Sequence, residues 1–264
     1  MINVKKLSII ALVLLLVGVI GSLFTFSQVA DQKATTDEKT ISEIVTDIQI
    51  DTDNATVEVI PTKDKETRIE LVSKGVDVSK LDFTAGVEGK KLSVKLKDQR
   101  TFSFGFHIQS LHLKMYVPDE SYKSFAVESD NGKLQISGLK SGNLNVKSQN
   151  GRVELNDIIT EKVEVKSANG KVDLKNVEGK LVGSSNNGKI IMVTKDLDRE
   201  IDLKSNNGKI MIKTENEPTN TTFDVHVDNG RVDILGKYEG NTVIGKGENL
   251  VKLETNNGKI EITK

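Results

Sequence analysis

From Ser121 to Lys264 the chain alternates apolar and polar residues in short runs, such as Val163-Glu164-Val165-Lys166-Ser167 and Ile201-Asp202-Leu203-Lys204-Ser205. A period of two puts the Val, Leu and Ile side chains on one face of a β-strand. The runs are punctuated by an Asn-Gly pair, at Asn131-Gly132, Asn150-Gly151, Asn169-Gly170, Asn187-Gly188, Asn207-Gly208, Asn229-Gly230 and Asn257-Gly258, in steps of 19, 19, 18, 20, 22 and 28 residues. After each pair come a basic residue and an apolar-x-apolar triplet, as in Lys133-Leu134-Gln135-Ile136 and Lys259-Ile260-Glu261-Ile262. Each unit therefore reads as strand, tight corner, strand.

Two all-β architectures accommodate this unit. In an antiparallel meander the Asn-Gly pair is a hairpin turn. In a β-solenoid it is one corner of a coil of about 19 residues, and equivalent residues of successive coils form ladders. The constancy of the whole unit favours the solenoid. At the corner, left-handed backbone geometry is expected, which glycine adopts freely and asparagine tolerates.

Residues 41–120 carry a less regular β pattern, read as the N-terminal cap and first irregular coils of the regular repeats at 121–264. Expected strands there are Ile44 to Ile50, Thr56 to Ile60, Thr67 to Ser73, Leu92 to Leu96, Thr101 to Ile108 and Leu111 to Val117, the last ended by Pro118. Asp53-Asn54-Ala55 resembles a decayed corner, with alanine in place of glycine; atypical terminal units are usual in repeat proteins. Phe102, Phe104 and Phe106 alternate next to Gly105 and read as a packed part of this cap.

At the N-terminus, Lys5 and Lys6 precede an uncharged run from Leu7 to Phe26. As a helix rising 1.5 Å per residue, such a run spans a hydrocarbon layer of about 30 Å. Residues 1–30 are accordingly expected to be a single-pass membrane anchor, with the two lysines cytoplasmic and the bulk of the chain outside. A cleaved signal peptide is the rival, though its apolar region is usually shorter and Gln28 disfavours cleavage at Ala30. Residues 31–40 are polar and charged and read as a flexible tether.

Composition removes several function classes. The net charge of -1 over 264 residues argues against a nucleic-acid partner. Cysteine is absent, and His107, His112 and His226 lack the spacing of a zinc site, so no metal, cofactor or catalytic thiol is expected. Calcium is disfavoured by the cation after every glycine; only Asp130 and Asp228 precede a corner pair. Glu154, Asp173, Asp233 and Glu261 follow the repeat as a solvated face, whereas a glycan-processing β-helix enzyme needs carboxylates gathered in a groove. The chain is read as a non-enzyme. Lys133, Arg152, Lys171, Lys189, Lys209, Arg231 and Lys259 share one position of the unit and form a basic column in a solenoid. That column is either a solvated edge or a ridge for an anionic wall polymer or acidic lipid headgroups. Lys237 to Gly247, in the longest step, reads as an insertion on one edge of the stack.

The apolar N-terminus, Tyr116-Val117-Pro118, the Ser-x-Asn-Gly-Lys units and the ending from Ile244 to Ile262 together resemble the bacterial "putative adhesin" family of β-strand-repeat proteins, to which the membrane-anchored LiaG protein belongs. The resemblance covers nearly the whole chain and implies a β-solenoid outside the membrane, associated with envelope-stress response operons, without catalytic residues to carry over. The expected function is a non-catalytic binding or scaffolding module of the cell envelope, engaging a wall polymer or another envelope protein. A surface adhesin is the alternative and a glycan-processing enzyme the remote one. If coils stack in chain order, Gly188→Val, flanked on both sides, destabilises the stack more than Gly258→Val at its end.

Overall fold

A computed structural model describes residues 11–19, 34–76, 78–98 and 110–264. Residues 121–214 form the regular solenoid. One face stacks β8 (Ser121–Asn131), β10 (Lys140–Asn150), the second half of β11 (Val153–Ser167), β13 (Lys180–Ser185) and β15 (Ile201–Asn207), all parallel. The other stacks β9 (Leu134–Ser137), the first half of β11, β12 (Val172–Val177), β14 (Ile190–Thr194) and β16 (Ile210–Thr214), again parallel. Registers such as Leu144↔Val163, Ser148↔Ser167 and Val153↔Val172 place each unit on the equivalent residues of its neighbour. The meander is thereby excluded for these coils. Because β11 runs through both faces, the strands join into one 19-stranded sheet folded round a shared core.

The core is thin and aliphatic. Leu134, Val153, Val172, Ile190, Ile210 and Ile260 stack in one fully buried column. Phe125, Leu144, Val163, Leu181, Ile201, Val251 and Phe223 form another, with the two phenylalanines near opposite ends. Gly183 leaves space in the interior: a Cβ there would lie 2.7 Å from the Leu203 side chain.

Stacking does not follow chain order at either end. β19 (Asn249–Thr263) lies between the β15/β16 coil and β17 (Thr221–Ile234), so the last coil in sequence is the second from the end in space. Likewise β2 (Asp47–Thr52) and β3 (Thr56–Thr62) lie between the β8/β9 coil and the coil of β6 (Lys91–Asp98) and β7 (Ser110–Pro118). No physical boundary therefore falls at residue 120, since the coil at 47–62 is an inner layer of the stack. Beyond it, β4 (Thr67–Lys74) adds antiparallel to β7, and β5 (Leu81–Glu88) antiparallel to β6. β5 is an additional strand, formed by the alternation Leu81, Phe83, Ala85, Val87, whose side chains pack on the core.

Two expectations for the N-terminal part are corrected or left aside. Residues 34–40 of the expected tether belong instead to β1 (Ala34–Ile41), antiparallel to β4 from Ala34↔Lys74 to Ile41↔Thr67. It lacks an apolar face, but the open edge of β4 supplies backbone partners, and the Lys39 ammonium sits 4.9 Å from the Phe83 ring centroid. Its polar side chains protect the edge from further pairing. The expected strand at Thr101 to Ile108, with Phe102, Phe104, Gly105, Phe106 and His107, lies outside the described residues. Residues 11–19 are helical and exposed, and among the described residues no helix is long and apolar enough to cross a membrane. The remainder of the Leu7 to Phe26 run lies outside them.

The Asn-Gly corner needs glycine for a different reason from the one expected. Of the seven corner glycines only Gly132 and Gly230 have positive φ, at 128° and 157°. A Cβ at Gly151, Gly170, Gly188, Gly208 or Gly258 would lie 1.7–1.9 Å from the carbonyl oxygen of the glycine one coil below. Close approach of backbone to backbone, and not handedness, excludes a side chain. Left-handed geometry sits at the opposite corner, where Gly138, Asp157 and Asn176, 19 residues apart, have φ of 65°, 54° and 51°.

Beside the glycines runs an amide ladder. Each Asn Nδ2 donates to the Oδ1 of the coil below, through Asn54, Asn131, Asn150, Asn169, Asn187, Asn207, Asn257 and Asn229, at 2.8–3.0 Å. The decayed corner at Asn54 is thus the first rung. Under the ladder lies a column of buried hydroxyls, Thr52, Ser129, Ser148, Ser167, Ser185, Ser205 and Thr255. Ser205 and Thr255 donate to the carbonyls of Gly188 and Gly208 at 3.0 and 2.9 Å.

A polar clasp secures the out-of-order coil. The Asp198 carboxylate accepts from the backbone N–H groups of Thr219 and Asn220 and from the hydroxyls of Thr219 and Thr221, at 2.7–3.1 Å. Asn220 donates through Nδ2 to Glu248, accepts from its N–H, and its carbonyl accepts from Asn249 Nδ2. One line of side chains thereby ties the entries of the three last coils together. Burial opposes the charge on Asp198, but the donors from Asn220, Thr219 and Thr221 outweigh it and hold its pKa at about 2.

Because Gly258 is an inner rung, Gly258→Val and Gly188→Val destabilise the protein alike, each by about 3 kcal/mol or more, since the opposing atom is backbone and cannot move aside. Thermal melting by circular dichroism checks this, and a mild effect at Gly258 alone restores chain-order stacking. The depressed carboxylate pKa means that Asp198 contributes stability fully above about pH 4, its contribution fading as pH falls through about 2. The melting-temperature gap between parent and Asp198→Ala is therefore widest near neutral pH and closes in acid.

Candidate binding site

The basic column is in register, since the N–H groups of Leu134, Val153, Val172 and Ile190 donate to the carbonyls of Arg152, Lys171, Lys189 and Lys209, and Arg231 lies opposite Lys259. Its charge is largely answered by the neighbouring carboxylates. Glu154 pairs with Lys133 and Arg152 at 2.6 and 2.9 Å, Asp173 with Arg152 and Lys171 at 2.7 and 2.6 Å, and Glu261 with Lys259 at 2.5 Å. These are surface pairs of small individual worth. Lys189, Lys209 and Arg231 carry no ion pair among the described residues. Lys189 and Lys209 precede Ile191 and Met211, where the carboxylate column is interrupted.

Acidic residues do gather at one place, a cleft of ≈ 490 Å³ on the second corner, lined by Asp157, Glu178, Asp196 and Glu215 together with Lys195 and Arg199. Among the described residues no three His, Cys, Asp or Glu side chains converge as a metal site. Arg199 Nη1 donates to the Gly179 carbonyl at 2.7 Å, and burial lowers the pKa of the guanidinium. Asp157 accepts from Asn176 at 2.8 Å. These contacts hold the corner together. Of the two aspartates that precede a corner pair, Asp130 accepts from Gln149, while Asp228 lies 2.9 Å from the His226 ring.

The larger cleft, ≈ 1210 Å³, lies at the C-terminal end of the stack. It is built by the stretch expected as an edge insertion. After β17 the chain turns at Leu235 (φ 58°) and Gly236 (φ 65°). Tyr238 then pairs with Ile234: its carbonyl accepts from the Ile234 N–H at 2.8 Å, and its N–H donates back at 3.1 Å. Four residues later β18 (Thr242–Ile244) pairs antiparallel with Thr221 to Phe223. β17 goes round the Asn229-Gly230 corner while residues 238–241 cut straight across, forming a strap over the mouth of the solenoid. The long step from Asn229 to Asn257 is the length needed to cross that end and return to the inserted coil.

The strap leaves part of the end strand open. Asn241 Oδ1 accepts from the Val225 N–H at 2.7 Å, so the outward groups at Val225 and Ile234 are met by strap atoms. N–H and C=O groups of alternate residues point to the same side of a strand, so those of Val227 and Val232 also face outward, into the cleft. Val227 occupies the position that holds a buried hydroxyl in the other rungs, and with Val225 and Val232 it gives the cleft an apolar floor. Arg231, Lys237, Tyr238 and Glu239 form the rim, with Lys237 held by Glu217 at 2.9 Å. The arrangement offers backbone groups, an apolar floor and mixed charge, which suits binding of an extended chain. In the sequence, the lengthened step and the loss of serine at Val227 are the signals that mark this end. Asn241→Ala leaves the Val225 N–H unpaired and frees the strap. Hydrogen exchange at that amide is expected to speed by roughly fivefold to tenfold, with rates at Val165 unchanged.

No curated protein matches the chain. Among solved structures, a "putative cell adhesion protein" from Clostridium sporogenes is 13% identical over 88% of this chain and 99% of its own, with a TM-score of 0.44. A "putative adhesin" from Bacteroides fragilis is 14% identical over 87% and 97%, with a TM-score of 0.48. A "putative lipid binding protein" from Parabacteroides distasonis is 14% identical over 87% and 97%, with a TM-score of 0.32. The Toastrack DUF4097 family profile matches twice, at residues 45–182 and 129–263, the overlap reflecting the periodic stack. The solenoid repeat from Val45 to Thr263 places the chain in the Toastrack DUF4097 family.

Proposed function

We propose that this protein is a membrane-anchored, extracytoplasmic and non-catalytic binding module of the bacterial cell envelope, LiaG-like and tied to envelope-stress response, and that it engages its partner at the strapped end cleft. The anchor reading rests on Lys5, Lys6 and the apolar run from Leu7 to Phe26. The site reading is carried by one observation: at the C-terminal end the backbone ladder stops at an open cleft of ≈ 1210 Å³ lined by Val227, Gly230 and Val232. That is larger than the roughly 300–1,000 Å³ of most small-molecule pockets, and fits a polymer segment better. A second reading is supported by Lys189 and Lys209, adjacent column cations without ion pairs. They are placed to hold an anionic wall polymer through screened, salt-sensitive contacts.

Protease added to intact, wall-stripped cells is expected to digest the chain beyond about residue 30; protection equal to that of a cytosolic control overturns the orientation. Retention of the detergent-solubilised full-length protein on purified envelope is expected to fall at least about fivefold in Arg231→Ala/Tyr238→Ala. Lys189→Gln/Lys209→Gln leaves it nearly unchanged. The opposite pattern assigns binding to the lysine pair, and loss in neither variant overturns both sites.

A further inference from the structure

The end of the stack is a template with a defined chemistry. Every amide bond in the ladder points the same way, from the Nδ2 of one coil to the Oδ1 of the coil below, and the last rung is Asn229, which donates to Asn257 at 3.0 Å. By the repeat of the ladder its own Oδ1 points away from Asn257, beside Gly230 at the border of the cleft, as an acceptor for a further N–H donor. The glycine beside it imposes a second condition. Each corner carbonyl lies where the Cβ of the next rung would be, at 1.8 Å for Gly258 over Gly208 and 1.7 Å for Gly230 over Gly258. The Gly230 carbonyl presents the same obstacle outward, so a segment laid on it in the repeat geometry must carry glycine there. Between the two strap contacts at Val225 and Ile234, the outward backbone groups of Val227 and Val232 remain for pairing.

We propose that the cleft binds an extended partner segment bearing an Asn-Gly pair, which adds in parallel to residues 226–233 as a further rung supplied in trans. The proposal rests on the cleft being the binding site and names what enters it. Strand addition supplies affinity through backbone hydrogen bonds. The Asn229 acceptor and the Gly230 carbonyl supply selectivity, the first by rewarding an amide donor and the second by excluding any Cβ. The strap lies across the mouth, so the segment passes between residues 238–241 and the Asn229-Gly230 corner, where the ≈ 1210 Å³ cleft is. A small ligand leaves most of these groups unmet. A polyanion meets mixed charge, with Asp233 and Glu239 beside Arg231 and Lys237.

The probe is a synthetic peptide of this chain's own repeat, Lys204 to Met211, the stretch in register with residues 226–233, titrated onto full-length protein in detergent by fluorescence anisotropy. Saturable binding is expected. An Asn207→Ala peptide should bind roughly tenfold more weakly, as one aligned hydrogen bond implies, and a Gly208→Val peptide should not bind measurably. Asn229→Ala in the protein should weaken the parent peptide by a similar factor and abolish the distinction between the parent and Asn207→Ala peptides, which simple unfolding does not do. Failure of the parent peptide to bind, or equal binding of all three peptides, overturns the proposal. If envelope retention still depends on Arg231 and Tyr238 in that case, the cleft remains the binding site and only its occupant is wrong; if it does not, both readings fall.

Discussion

The approach of one backbone corner to the next, with a glycine Cα resting on the carbonyl below, sets the spacing on which the rest of the structure depends. With no Cβ at Gly151, Gly170, Gly188, Gly208 and Gly258, the coils close to the distance at which the neighbouring asparagines join into one amide ladder. The same spacing stacks the aliphatic columns and brings Ser205 and Thr255 within reach of glycine carbonyls. The tie between hydroxyl and glycine carbonyl holds at Ser185, Ser205 and Thr255, while the buried hydroxyls of Thr52, Ser148 and Ser167 have no partner.

Parallel stacking leaves a sheet edge at each end, and the molecule closes its two ends differently. At the N-terminal end β4, with one face buried, and then the polar β1 and half-buried β5 add antiparallel strands. At the C-terminal end only three residues of β18 and the strap cover the last coil. At the C-terminal end β19 is threaded into the second layer, so its fraying requires breaking ladders on both of its sides, whereas β1 at the other end pairs with β4 alone. The Asp198, Asn220 and Glu248 clasp holds the C-terminal threading in place by joining three coil entries that chain order alone does not bring together.

The surface charges do not form the single ridge that their spacing suggests. Acidic residues two positions after Arg152, Lys171 and Lys259 reach back in the flattened strand geometry and pair with the cations. Where the repeat has Ile191 and Met211 instead, Lys189 and Lys209 have no ion pair among the described residues. Directional backbone groups therefore stop at an end of the stack, whereas along its side the charges are largely paired.

The alternation of Val, Ile and Leu with polar residues, the Asn-Gly spacing and the decayed copy at Asn54 were sufficient to establish strands and corners and to favour stacked coils over a meander, because each is a local property repeated at a fixed interval. The equivalence of the seven cations is equally legible, since register follows from the period. Three features were decided only by tertiary structure. The order of the coils at both ends depends on which edges remain open, and any in-register unit satisfies the same ladder, so sequence position does not specify it. The reason for glycine at the corner is a contact between residues 18 to 50 positions apart, invisible in the dihedral preference of the pair itself. The strap at Tyr238 to Asn241 becomes a roof only because the last coil is inserted beneath β17, turning a long loop into a crossing over the open end.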